Sequence, residues 1–137
     1  MDDRNRLKVP AEYRRVFEQS WGQDLFVTSF TGSEVFVYPL SVWAEFEKRL
    51  LELPLMDPKR VRIQKVVNFY GKTQVMDGQG RVLIHSPLRE KAGIGEEVMV
   101  LGYGDHLCVQ DAAKVEQEVA TSTESDLETL SELWRKP

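Results

Sequence analysis

Two stretches of this chain are near copies. Asp2-Asp3-Arg4-Asn5-Arg6-Leu7-Lys8-Val9 returns as Asp77-Gly78-Gln79-Gly80-Arg81-Val82-Leu83-Ile84, with identical Asp-x-x-x-Arg spacing and an apolar-rich, strand-like stretch after each Arg. Arg14 and Arg89 match at the same offset. A repeat of this kind predicts two pseudo-equivalent halves, and it has to be settled before any single element is assigned.

The copies continue with a small indel. Leu25-Phe26-Val27-Thr28 reads like Val98-Met99-Val100-Leu101, and Gly32 to Val37 reads like Gly104 to Val109. Each copy therefore predicts turn, strand, short helix, strand, Gly turn, strand. Pro10 suits the first turn of the first short helix. In the second copy Ser86-Pro87 supplies an expected N-cap and first-turn Pro, with Gly93 at the C-terminal cap. The last strand of each copy runs into a helix, after Pro39 and after Asp111.

Between the copies, Ser41 to Leu53 has helical apolar spacing through Val42, Phe46, Leu50 and Leu53. Asp57-Pro58 starts a second helix, whose segment Lys59 to Lys65 contains no acid. Phe69 to Met76 is expected to lead as a strand into the second turn. After the copies, Ala112 to Ala120 is helical in composition. Ser125-x-x-Glu128 then forms an expected capping box ahead of Leu127, Leu130 and Trp134. The predicted class is α+β. The predicted organisation is a first half with its following helix at 1–56, a connecting helix with the second half at 57–120, and a helical tail at 121–137.

Charge first argues against nucleic acid, since the chain carries -4 at neutral pH. Its distribution removes the objection. Residues 111–137 hold seven acids against three bases, which is the whole of the -4. The rest of the chain is neutral and free to present a basic face. No apolar run approaches a membrane span, and the charged start has no signal-peptide pattern. The single cysteine, Cys108, excludes an internal disulfide, fits a reducing cytosol and reads as a small core residue inside a strand. His85 and His106 lack metal-ligand spacing, so neither a metal nor a cofactor is expected. Trp21, Trp43, Phe36 and Phe46 read as core, not as a stacking platform.

The paired motif resembles the MraZ family. Val35-Phe36-Val37-Tyr38-Pro39-Leu40-Ser41-Val42-Trp43 is similar to the family's strand-to-helix segment, and Leu53-Pro54-Leu55 and the Asp77 to Ile84 turn add to the likeness, which spans residues 2 to about 119. The resemblance implies two AbrB-like, swapped-hairpin halves in one chain. It also implies a cytoplasmic, nucleoid-associated regulator that binds direct repeats in double-stranded promoter DNA, ahead of division and cell-wall genes, as a ring-forming homo-oligomer. The chain departs from the pattern at Asn5, where Gly is usual; Asn tolerates the left-handed turn. At His85, Pro is common. Members also carry a strand before the position of Asp2, and the repeat makes the same point, because Lys72 to Met76 precede the second motif and only Met1 precedes the first. Met1 to Lys8 is therefore expected to be less ordered than Asp77 to Leu83, or ordered only by a neighbouring subunit, with an unpaired edge in the first half.

Asp2…Arg6 and Asp77…Arg81 admit three readings. They are turn structure, nucleic-acid binding with the Asp orienting its Arg, or catalysis by two carboxylates. An Arg partner depresses a carboxylate pKa, the wrong direction for a general acid, so an enzyme is not expected. The expected DNA-binding residues are Arg4, Arg6, Arg14, Gln79, Arg81 and Arg89, with Asp2 and Asp77 orienting the motifs. The alternative is an AbrB-type antitoxin or interaction module without its own DNA target.

Overall fold

The computed structural model describes residues 1–121 and 123–135. Two antiparallel sheets form the frame, and six helices surround them. Strand β1 (Arg6–Lys8) is followed by helix α1 (Ala11–Ser20), strands β2 (Asp24–Thr28) and β3 (Val35–Pro39), and helices α2 (Leu40–Leu50) and α3 (Pro58–Tyr70). The second copy runs β4 (Lys72–Val75), β5 (Arg81–Leu83), α4 (Ser86–Lys91), β6 (Val98–Gly102) and β7 (Leu107–Asp111). Helices α5 (Ala112–Val119) and α6 (Glu124–Arg135) end the chain. The class is α+β, built from two pseudo-repeated halves.

The halves interlock. β1 pairs with β5 as a two-stranded ribbon, and the larger sheet runs β4-β2-β3-β7-β6. In the ribbon Leu7 faces Val82, its own repeat equivalent, so a pseudo-twofold axis passes between them. In the large sheet Phe36 faces Cys108 in the same way. Backbone bonds repeat across the axis. Val9 N–H donates to the Gly80 carbonyl at 2.9 Å, and Ile84 N–H donates to the Asn5 carbonyl at 2.8 Å. Each half therefore completes the other half's turn.

Alternation on the strands divides the core into two layers. Leu25, Val27, Val35, Val37, Leu107 and Val109 face the ribbon and helices α1 and α4, together with Leu7, Phe17, Val82, Ile84 and Leu88. The other face carries Phe26, Phe36 and Tyr38 against Trp43 of α2 and Val67 of α3. Trp43 stacks on Phe26 with ring centres 4.6 Å apart. The tryptophan and phenylalanines thus pack inward, as expected. Cys108 is buried in β7, and burial pushes its thiol up to about 11.

Several local expectations change. The stretch from Phe69 is not all strand: α3 runs on to Tyr70, and β4 starts only at Lys72. The β-branched and aromatic composition suggested a strand, but Val67 is drawn into the Tyr38–Trp43 cluster. Thr28 Oγ1 also donates to the Val67 carbonyl at 2.8 Å, satisfying a group near the helix end that lacks an intrahelical partner. Helix α2 stops at Leu50, three residues short of the expected end. The N-cap of α4 is His85, not Ser86, whose Oγ accepts instead from Asn5 Nδ2 at 2.8 Å. In the tail the reciprocal cap is Thr123 with Asp126, two residues ahead of Ser125 and Glu128: Thr123 N–H donates to Asp126 Oδ2 at 3.0 Å and Asp126 N–H to Thr123 Oγ1 at 3.3 Å. Ser122, Lys136 and Pro137 of the expected tail lie outside the described residues.

The backbone of the first turn is as fully bonded as that of the second. Asp2 N–H donates to the Arg6 carbonyl and Asp77 N–H to the Arg81 carbonyl, both at 3.0 Å. Even Met1 mirrors Met76. Its amine donates to the Glu96 carbonyl at 3.2 Å, as Met76 N–H does to Gln23 at 2.9 Å. Because the halves swap strands, β4 covers β2 of the first half, whereas the equivalent strand β6 has no such cover; β4 and β6 form the two edges of the described sheet.

Candidate nucleic-acid interface

The ribbon sets the site. Leu7 and Val82 point into the core, which leaves Arg6, Lys8, Arg81 and Leu83 on the outer face. Register places Lys8 directly opposite Arg81 and Arg6 opposite Leu83. Arg6, Lys8 and Arg81 consequently line one shallow cleft of about 250 Å3, with Met1 and Asp2 at its side. Three cations and one carboxylate converge there.

At each end of the ribbon the motif aspartate organises a turn. Asp2 Oδ1 accepts from the backbone N–H groups of Arg4 and Arg6, each at 2.9 Å. Asp77 Oδ1 accepts from Gln79 at 2.8 Å and Arg81 at 2.9 Å. The backbone N–H of Arg6 is the main cause holding Asp2 below its ordinary carboxylate pKa, and the N–H of Arg81 does the same for Asp77. Each aspartate is therefore a turn-holding anion, not an acid.

The two arginines differ. Arg6 Nε pairs with Asp2 Oδ2 at 2.9 Å. The Arg81 side chain makes no hydrogen bond or ion pair among the described residues; it is half-buried and acts on Asp77 through space. Arg4 and Gln79 sit exposed at the turn tips, at equivalent positions two residues before Arg6 and Arg81.

Arg14 and Arg89 are brought to the same ribbon from behind. Arg14 Nη2 donates to the Gly78 carbonyl at 2.7 Å, and its Nε pairs with Glu18 at 2.9 Å. Arg89 Nη1 donates to Asn5 Oδ1, and its Nε to the Ile94 carbonyl at 3.3 Å. Each helix thus braces the turn of the opposite half. The fourth turn position shows why the copies differ in sequence. Asn5 has φ 61° and Gly80 has φ 76°, both left-handed. At Asn5 the side chain reaches Arg89. At Gly80 a Cβ would lie 2.8 Å from Arg14 Cδ, because the Arg14 stem occupies that space.

Lys8 gains importance from the structure: its register partner is Arg81, a pairing across the two copies that no local pattern displays. No cluster of three or more metal-ligating side chains occurs among the described residues. No described helix is long and apolar enough to cross a membrane.

Comparison with known proteins gives a consistent result. A family model described as "MraZ protein, putative antitoxin-like" matches residues 69–133. A protein named Transcriptional regulator MraZ from Koribacter versatilis is 43% identical over 136 residues, covering 97% of this chain and 92% of the relative. The protein of that name from Acidobacterium capsulatum is 36% identical, covering 96% and 92%. The one from Nitrosomonas europaea is 34% identical, covering 90% and 83%.

Proposed function

This chain belongs to the MraZ family, and on that premise we propose that it is a transcriptional regulator binding double-stranded promoter DNA at direct repeats. The observation that carries the reading is the cationic outer face of the β1–β5 ribbon. A two-stranded ribbon fits the major groove, where an arginine fork can read guanine. Arg81 is free to do so. Arg6 is held extended by Asp2, and Lys8 adds charge beside them. Arg4 and Gln79 at the turn tips meet the adjacent backbone or base edges. Arg14 and Arg89 serve the same interface by holding the two turns in place.

The organisation that goes with this is an interleaved pair, 1–56 and 57–120, followed by the tail 121–137. One ribbon covers few base pairs. Several copies, assembled as a ring, engage repeated sites together, so that affinity arises from avidity. The protein acts in the cytoplasm at the nucleoid, without a catalytic step. Gel shifts on duplexes carrying one, two or four direct repeats test the reading, alongside the mass of the free protein. Affinity should climb steeply with repeat number. Equal binding to unrelated duplexes, or none, overturns it.

A further inference from the structure

We propose that helix α6 of one copy docks into the apolar groove between α2 and α3 of a second copy. The proposal deepens the oligomer part of the reading above and rests on it. The groove, about 280 Å3, is lined by Phe30, Phe46, Arg62, Ile63, Val66 and Val67. Phe30 and Ile63 are exposed, and the α2–α3 connection carries exposed Leu51, Leu53, Leu55 and Met56 as well. An open groove lined almost wholly by apolar side chains marks an interaction site.

α6 has the complementary shape. Leu127, Leu130 and Trp134 recur at i, i+3, i+7, with Leu133 beside them. All four are at least half exposed, Trp134 at 83%, and the helix has no buried residue. An amphipathic helix of twelve residues is too short to persist on its own in water. It needs a partner for this face, and such anchors are how a helix enters a groove.

Charge chooses the occupant. Helix α3 carries Lys59, Arg60, Arg62 and Lys65 and no acid. Lys59 and Arg62 stand three residues apart on the side that carries Ile63 and Val66. Helix α6 carries Glu124, Glu128 and Glu132 at four-residue spacing along one flank of its apolar stripe. In the single chain the α6 stripe stays exposed while the groove stands open, which points to a groove on another molecule. Such a head-to-tail contact uses two different surfaces and can propagate round a ring.

Light-scattering mass of the full chain tests the proposal. Leu130→Ser with Trp134→Ser, Glu128→Lys with Glu132→Lys, and Lys59→Glu with Arg62→Glu should each lower the assembled mass at least twofold. All these side chains are exposed, so the melting temperature of each subunit should be kept. Combining the two charge reversals should restore the mass. A Leu130→Cys, Ile63→Cys chain oxidised by disulfide exchange with oxidised glutathione should give covalent multimers on a non-reducing gel. Oxidised chains that remain monomeric and fast-migrating place the helix on its own body and overturn the proposal. An oligomer whose mass ignores every variant also overturns it and leaves the assembly reading standing. A wild-type chain that is monomeric overturns both, while its binding to repeat DNA is judged separately by gel shift.

Discussion

At the scale of single residues, Arg81 and the turn that presents it come first. The Arg81 side chain makes no hydrogen bond or ion pair among the described residues and acts on Asp77 only through space, while its backbone bonds to Asp77 survive a change of side chain. Arg81→Ala should weaken binding to repeat DNA by about 1–3 kcal/mol if it reads a base, with the thermal midpoint unchanged. Titration by fluorescence anisotropy and a thermal melt of the same sample check both halves of that statement; wild-type affinity would remove Arg81 from the interface. Gly80 and Gly78 are two residues apart and should behave oppositely. Gly80→Ala meets Arg14 Cδ at 2.8 Å in a left-handed backbone, and should cost about 1 kcal/mol or more. Gly78→Ala has nothing within 4 Å and should be tolerated, as urea titrations of the pair would show. Proton linkage acts in two windows. Asp2 and Asp77 have depressed folded pKa values, so their contribution is complete above about pH 4 and is lost as pH falls through the folded values. His85 is depressed chiefly by burial, and its Nδ1 is buried without a partner. Its unfolded form takes up protons first, so stability should be complete above about pH 6.5 and decline as pH falls below that value. His85→Gln should flatten the upper window of a melting-temperature profile and leave the lower one; an unchanged profile would refute the assignment.

Single elements are held by contacts that bridge the two copies. The end of α3 meets β2 through the Thr28–Val67 hydrogen bond, with Gly71 beneath Phe26. A Cβ at Gly71 would lie 2.3 Å from Phe26 Cζ and 2.4 Å from the Val67 carbonyl oxygen, which is backbone and cannot move aside. The helix-to-strand passage at this point therefore requires glycine despite its ordinary φ. Thr28→Val keeps the shape but removes the donor from a buried carbonyl. It should cost about 1–3 kcal/mol in chemical denaturation, and hydrogen exchange should rise selectively in the last turn of α3. A loss spread evenly over all elements would mean that Thr28 supports only the general core.

For the whole molecule, electrostatics and symmetry act together. The acids that make the chain negative are concentrated in residues 111–137, while the ribbon face holds Arg6, Lys8 and Arg81. On the proposed function, attraction to DNA is local, and its strength multiplies with the number of ribbons engaged. The slope of log affinity against log salt should steepen as repeats are added to the duplex, because each engaged ribbon releases further counterions. A slope that stays constant from one repeat to four would indicate that a single ribbon binds at a time. The pseudo-twofold axis between Leu7 and Val82 relates the turns at the two ends of the ribbon, so on the proposed function both copies of the motif address one site.

The doubled motif alone determined that two equivalent turns exist and that strands follow them; the left-handed backbone at Asn5 and Gly80 is seen in the structure. These properties are local: an Asp side chain reaches backbone N–H groups two and four residues on, and alternation reports which side of a strand is apolar. Helix starts at Asp57-Pro58 were legible for the same reason. Tertiary structure decided everything that depends on which copy pairs with which. Two similar half-sequences can pair within themselves or exchange, and local pattern is the same either way. Only the packed core shows that Lys8 faces Arg81, that Arg14 braces Gly78 and Arg89 braces Asn5, and that β2 is covered by β4 while β6 ends the sheet. The strand expected over Phe69 and Tyr70 gave way to helix because burying Val67 between Tyr38 and Trp43 outweighed their β preference, a weak bias of at most about 1 kcal/mol per residue against the larger gain of burying a whole side chain.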